Sequence, residues 1–168
     1  MAKALVDLVS QTKWFKGELQ HFFLDLRRWR KFRTRYKLDW QRERFAEASG
    51  PKIPDERGIY VFTAELSPGK LPPHGYILYM GITGDISNAT LKSRYAQYIR
   101  QHKTMNGRPA ITYMLANWEE DLFFNFVPLP NKSIDLSHLE KAFLSAVVPP
   151  MNKRDIEATI TNAKAAAF

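Results

Sequence analysis

The sequence predicts an α/β chain of the α+β kind: a small three-stranded antiparallel sheet flanked by helices, preceded by a long basic helical extension. Three observations carry this. GIYVFTAEL (58–66) and GYILYMGIT (75–83) are β-rich runs joined by the short, proline- and glycine-bearing SPGKLPPH, so the two strands should pair antiparallel. Apolar residues recur three or four apart in two later stretches, the spacing of a helix with one buried face. Finally, residues 1–50 lack proline and contain only Gly17 before Gly50, and the texture changes abruptly at PKIPDERG.

Element by element, Phe15, Leu19, Phe22, Leu26 and Trp29 alternate four and three apart, and Phe32, Tyr36 and Trp40 continue the stripe. This predicts one long helix or a hairpin bent near Gly17. SNATLKSRYAQYIRQHK reads as a helix capped by Ser87 or Asn88, with Leu91, Tyr95 and Ile99 inward. LFFNFVPLP, near 122–130, is the third strand. DLSHLEKAFLSAVV is a helix with Leu136, Leu139, Phe143 and Val147 on its inner face, ended by Pro149 and Pro150. IEATITNAKAAAF is a weaker terminal helix. The predicted divisions are a basic helical extension over 1–50, a core over 51–155 and a tail over 156–168.

Composition narrows the function. No cysteine is present, which excludes disulfides, thiolate metal sites and cysteine nucleophiles. No apolar run approaches the roughly 18 residues a bilayer span needs, and no signal-peptide pattern opens the chain, so a soluble, cytoplasmic protein without a membrane partner is expected. The net charge of +8 is uneven: residues 1–50 hold 12 Lys/Arg and 6 Asp/Glu, whereas the remainder holds 13 and 11. Seven of the eleven residues from Arg27 to Lys37 are basic (Arg27, Arg28, Arg30, Lys31, Arg33, Arg35 and Lys37), with Trp29, Phe32 and Tyr36 threaded among them. A polyanion is the implied partner, with nucleic acid before a membrane surface. The aromatics can pack on the core while the outward cations touch phosphates.

From Gly58 to Asn152 the chain resembles the GIY-YIG nuclease family. Gly58-Ile59-Tyr60 stands for the first triplet and Tyr79-Met80-Gly81 for the second, with Thr83 two residues on. Leu91-x-x-Arg94 lies on the following helix. Glu140 begins a pattern that runs through Pro149 to Asn152, the places of the family's glutamate and asparagine. The resemblance implies hydrolysis of DNA phosphodiesters with one divalent metal, Mg²⁺ or Mn²⁺, with RNA a less favoured substrate. It assigns catalytic positions to Tyr60, Tyr79, Arg94, Glu140 and Asn152, and supporting ones to Gly58, Gly81, Thr83 and Tyr98. Double-strand cleavage by one site usually needs two copies, so the reading admits a homodimer.

The chemistry is consistent with those residue types. A carboxylate on a rigid helix can hold Mg²⁺ while water and phosphate fill the remaining positions, which suits Glu140. Arg94 offers a planar fork of donors to two phosphate oxygens. Either triplet tyrosine has been cast as the base in this family; here Tyr60 is expected to be the base and Tyr79 a positioning hydroxyl. Tyr79 and Gly81 share a strand face, so the glycine is expected to leave an opening beside the phenol for substrate. Two departures stand out: Ile82 where many members carry lysine, and Tyr98 where many carry histidine. They motivate the alternative of a weak or inactive nucleic-acid-binding protein that keeps the fold. Each residue also has a purely structural explanation. The tyrosines can be cross-strand aromatics, Ser137-x-x-Glu140 a capping box and Asn152 a helix cap. His21, His74 and His138 form no metal-like pair, and no HNH-type or H-E-x-x-H spacing occurs.

Overall fold

Alternation of side chains along three aromatic strands builds a sheet with two buried faces. In the computed structural model, which describes residues 24, 26–66, 72 and 74–152, the elements run in this order: α1 (Leu26–Lys31), β1 (Gln41–Arg44), a 3-10 turn (Glu47–Lys52), β2 (Gly58–Leu66), β3 (His74–Thr83), α2 (Leu91–Thr104), α3 (Pro109–Asn117), β4 (Leu122–Pro128) and α4 (Leu136–Val147). The sheet is antiparallel with strand order β1-β4-β2-β3. It has four strands, not the three expected. QRER lacks apolar alternation, yet its backbone pairs with β4 from Gln41↔Phe126 to Arg44↔Phe123, and the Arg42 guanidinium lies 3.9 Å over the Phe123 ring.

One face carries Tyr60, Phe62, Leu78, Tyr79, Phe124 and Phe126, covered by Leu91, Tyr95 and Tyr98 of α2 and by Ile111, Met114 and Leu115 of α3. The other carries Ile59, Val61, Met80 and Val127, covered by the Leu136, Leu139, Phe143 and Val147 stripe of α4. The first face is aromatic: Phe62 and Tyr98 meet edge-to-face at 5.1 Å, Tyr95 and Phe124 at 5.0 Å. Such pairs add about 0.5–1.5 kcal/mol beyond the area they bury.

Residues 26–50, the described part of the expected helical extension, are not a separate helix. Only Leu26–Lys31 of the basic run is helical; Phe32 to Trp40 is irregular and leads into β1. Phe32, Tyr36 and Leu38 pack toward α4, with Phe32 edge-on to Phe143 at 5.6 Å, and Phe45 joins the aromatic core. The predicted boundary at 50/51 therefore cuts through one packed unit. The expected stripe at Phe15, Leu19 and Phe22, the bend at Gly17 and the 156–168 helix lie outside the described residues.

Cap assignments also differ from expectation. Thr90, not Ser87 or Asn88, caps α2 through a reciprocal box with Ser93. Asp135 caps α4, its carboxylate accepting from the His138 amide at 2.8 Å. Ser137-x-x-Glu140 is thus not a capping box, because those residues already sit inside the helix. The α3 helix was not anticipated, although Pro109 at its first turn and Ile111, Met114 and Leu115 carry a helical signal. Among the described residues, no helix is long and apolar enough to cross a membrane.

Arg57, just before β2, ties these layers together. Its guanidinium group donates to the carbonyls of Gly84 (3.0 Å), Asn131 (2.7 Å) and Ile134 (3.3 Å), and to the Asp85 carboxylate at 3.2 Å. Asp85 in turn accepts from the Ser137 hydroxyl, which joins the turn after β3 to the start of α4.

Candidate active site

A bulge sets the aim of the second triplet. Phe62 pairs with Tyr79 but Thr63 pairs with Ile77, so Leu78 is the extra residue on β3. The bulge lets Leu78 and Tyr79 both face the aromatic layer. Tyr79, Gly81 and Thr83 then share that face by alternation. Tyr60 lies directly across from Gly81.

This register corrects the expectation for Gly81. A side chain there would begin 2.5 Å from the Tyr60 hydroxyl and 2.7 Å from Cζ, so the space that the glycine leaves is filled by the Tyr60 ring. It is not a passage for substrate. Gly81→Ala should therefore push Tyr60 from its rotamer and cost about 1–3 kcal/mol, read as a drop in thermal midpoint. Gly58 has a different steric reason. A Cβ would strike the Val127 carbonyl and lie 3.1 Å from Leu91, so β2 approaches β4 and α2 too closely for a side chain.

Three phenols meet in the aromatic layer. The Tyr60 and Tyr98 hydroxyls hydrogen bond at 2.8 Å, and the Tyr79 ring centroid lies 6.3 Å from that of Tyr60 and 6.4 Å from that of Tyr98. Tyr60 and Tyr98 are each 2% exposed and Tyr79 7%. Burial pushes Tyr60 well above the ordinary phenol value, reinforced by its Tyr98 and Tyr79 neighbours, while the Arg94 charge pulls weakly the other way. Burial also raises Tyr98, with Tyr79 adding to it. Tyr60, the expected base, is thus held against giving up its proton.

A linkage consequence follows. The stability that neutral Tyr60 and Tyr98 contribute is complete below the unfolded value near 10 and is lost as pH rises from there through the raised folded values. Each group steepens the loss by up to about 1.4 kcal/mol per pH unit. Urea midpoints measured from about pH 8 to 11 should fall, and Tyr60→Phe should flatten that fall. An equally steep alkaline limb in the variant would contradict the linkage.

Arg94 and Arg108 flank the phenols. Arg94 shares the inner face of α2 with Leu91 and Tyr98. Its Nη1 donates to Gln97 at 2.7 Å, but its buried Nε–H has no acceptor among the described residues. The Thr83 hydroxyl, also buried, has none either. Leu91 lies against Gly58, and Gly58 pairs with Thr83, so the first turn of α2 covers the Thr83 end of the strands. Arg108, which the sequence reading missed, donates from Nη2 to the Tyr79 hydroxyl at 3.1 Å, its guanidinium 5.4 Å from the ring centre. Its place immediately before Pro109 marks a helix start but carries no hint of a partner 29 residues earlier.

Asn152 is wholly occupied. Its Oδ1 accepts from the Met80 amide and its Nδ2 donates to the Met80 carbonyl, both at 2.9 Å, while the Met151 amide donates to the Leu78 carbonyl at 3.0 Å. The segment after α4 thereby satisfies the outer edge of β3 and its bulge. Asn152 acts as a clamp on β3 rather than as a group aimed at substrate, and the helix it was expected to cap lies outside the described residues. Glu140 is half-buried on α4, and α4 covers the face opposite Tyr60 and Tyr98. The expected single open pocket of Tyr60, Tyr79, Arg94 and Glu140 is therefore not what the fold forms: the phenols are packed, and the carboxylate comes from the other layer. Ser137, one turn before Glu140, reaches Asp85, so that side of α4 points toward the β3 end of the sheet.

Among the described residues no three His, Asp or Glu side chains gather as a metal cage. Mg²⁺ bound by one or two carboxylates, with water and phosphate completing its shell, does not require such a cage. Asp135, not Glu140, takes the cap of α4, and the half-buried Glu140 carboxylate is of the type that suits such a single-carboxylate arrangement. Compared with protein-family models, curated proteins and solved structures, the chain matches none.

Proposed function

We propose that this chain is a divalent-metal-dependent nuclease of the GIY-YIG type, cutting phosphodiester bonds in DNA beside the Thr83 end of β3. The observation that carries the reading is the buried Arg94 Nε–H without an acceptor among the described residues, on the helix face shared with Tyr98 and close enough for its charge to act on Tyr60. Leaving a buried donor on a cation unsatisfied costs about 1–3 kcal/mol, and such groups are retained where a ligand supplies the acceptor. A phosphate oxygen is the natural acceptor for a guanidinium.

Because α2 and α4 cover opposite faces, Arg94 and Glu140 can share one phosphate only around β3 beyond the Leu78–Met80 stretch that Met151 and Asn152 cover, at its Thr83 end. The metal, when bound at Glu140, supplies Lewis-acid stabilisation of charge on the phosphoryl oxygens. Arg94 binds and orients the phosphate. Tyr79, its hydroxyl held by Arg108, takes the role facing the attacking water, whereas Tyr60 and Tyr98 form the rigid backing that fixes its ring. The basic run from Arg27 to Lys37 supplies phosphate contacts away from the cut.

The test is a supercoiled plasmid incubated with Mg²⁺ or Mn²⁺. Nicked or linear product is expected, slowed about 100-fold by Tyr79→Phe but less than about tenfold by Tyr60→Phe. The second reading, a non-catalytic nucleic-acid-binding protein, is favoured by the burial of all three phenols. Tight retarded complexes with no cleavage under either metal would select it.

A further inference from the structure

A groove of about 830 Å³ separates α1 and its following turn from α4. Arg27, Arg28, Lys31 and Arg33 line one wall, His138 and Lys141 the other, and among the described residues none of the lining is acidic. The excess of basic side chains along both walls makes the groove attractive to an anion. At its base Ser145, 5% exposed, holds a hydroxyl with no hydrogen-bond partner among the described residues. His138, Lys141 and Ser145 fall three and four apart, one stripe of α4. Phe32 also lines the groove and is pinned edge-on to Phe143, so the walls are held in place before any ligand arrives.

We infer that this groove binds a short single-stranded stretch of nucleic acid, its phosphates on the wall cations and one phosphate oxygen accepting from Ser145. The volume lies within the roughly 300–1,000 Å³ of small-ligand sites, enough for a few nucleotide units and too small to admit a double helix. Phe32 and His138 provide flat rings for bases, the pairing of stacking surface with cationic groove that single strands use. A bilayer surface cannot enter a cleft between two elements. The inference rests on the nucleic-acid part of the proposed function but not on cleavage.

The experiment is fluorescence anisotropy of the full chain with labelled oligo(dT) of about ten nucleotides, in chelator to prevent cutting. Lys31→Glu with Lys141→Glu changes two exposed side chains and should weaken binding at least about tenfold. It should also flatten the salt dependence by about 0.7 per lost phosphate contact. Ser145→Ala should weaken binding about threefold while the thermal midpoint holds or rises, since it removes an unpaired buried hydroxyl. Unchanged affinity and salt slope in the double variant would overturn the inference. So would a duplex of equal phosphate content competing as well as the single strand, or loss of binding only to phosphatidylserine vesicles. If the plasmid stays uncut while the double variant loses oligo(dT), the nuclease reading fails alone. If the plasmid is cut and oligo(dT) binding is unaltered, the groove fails alone.

Discussion

Replacing Glu140 with alanine should leave DNA binding intact and slow plasmid nicking by at least about 100-fold. Asp135 caps α4 and Leu136, Leu139, Phe143 and Val147 anchor it, so the helix does not need Glu140 to form. What the variant removes is the carboxylate proposed for the metal, on the side of α4 that Ser137 fixes against Asp85. Glu140→Gln is the sharper form of the experiment. It keeps the shape and hydrogen-bonding capacity of the side chain but removes the negative charge that a hard cation requires. Both variants should melt within a few degrees of the parent and retard DNA equally. Nicking at the parental rate by Glu140→Gln would remove Glu140 from the proposed site. The consequence would be large, because Asp85, the acidic neighbour of that region, is already engaged by Arg57 and Ser137.

Arg57→Ala is expected to destabilise the fold by about 1.5–3 kcal/mol, the range for losing hydrogen bonds made by a charged group, since the Asp85 end of its ion pair is 23% exposed. The Arg57 side chain is 10% exposed, so little solvent screening reduces its interactions. Its loss strands the carbonyls of Gly84, Asn131 and Ile134 and leaves Asp85 with only Ser137 among these partners. Lysine should rescue only part of the loss, since one ammonium cannot serve carbonyls in several directions at once. A urea titration would show a lower midpoint with an unchanged slope. Against a total of about 5–15 kcal/mol for a domain, the effect is a large fraction of stability. Cleavage should fall with it even below the melting range, because Arg57 and Asp85 together hold the start of α4. A midpoint within experimental scatter of the parent would show that water replaces these bonds.

The hairpin of β2 and β3, the strand β4 and the helices α2 and α4 were legible in the sequence because burial repeats along the chain with period two or 3.6. Tyr98 is buried beside the predicted Ile99, which packs half-buried against the same core. β1 was not legible: QRER owes its place to backbone pairing with β4 and to Arg42 stacking on Phe123, and neither leaves an apolar pattern. The candidate site divides in the same way. Side-chain types and their order along the chain were visible, but which hydroxyl is packed, which cation reaches it and which face each helix covers were not. Tyr60 became an unsuitable base because Gly81 lies across from it and admits its ring into a dry layer. Arg108 joined Tyr79 because α3 folds over the bulged end of β3, a meeting of residues 29 positions apart that no local spacing encodes.

By itself the sequence determined the helix and strand periods, the basic N-terminal third and the absence of thiol chemistry, since these depend only on residue type and spacing. The tertiary structure alone decided register, burial and layer, and through them which phenols are packed away from water and which side chains serve as clamps. Those properties depend on what surrounds a side chain in space, and neighbours in space are set by packing across the sheet.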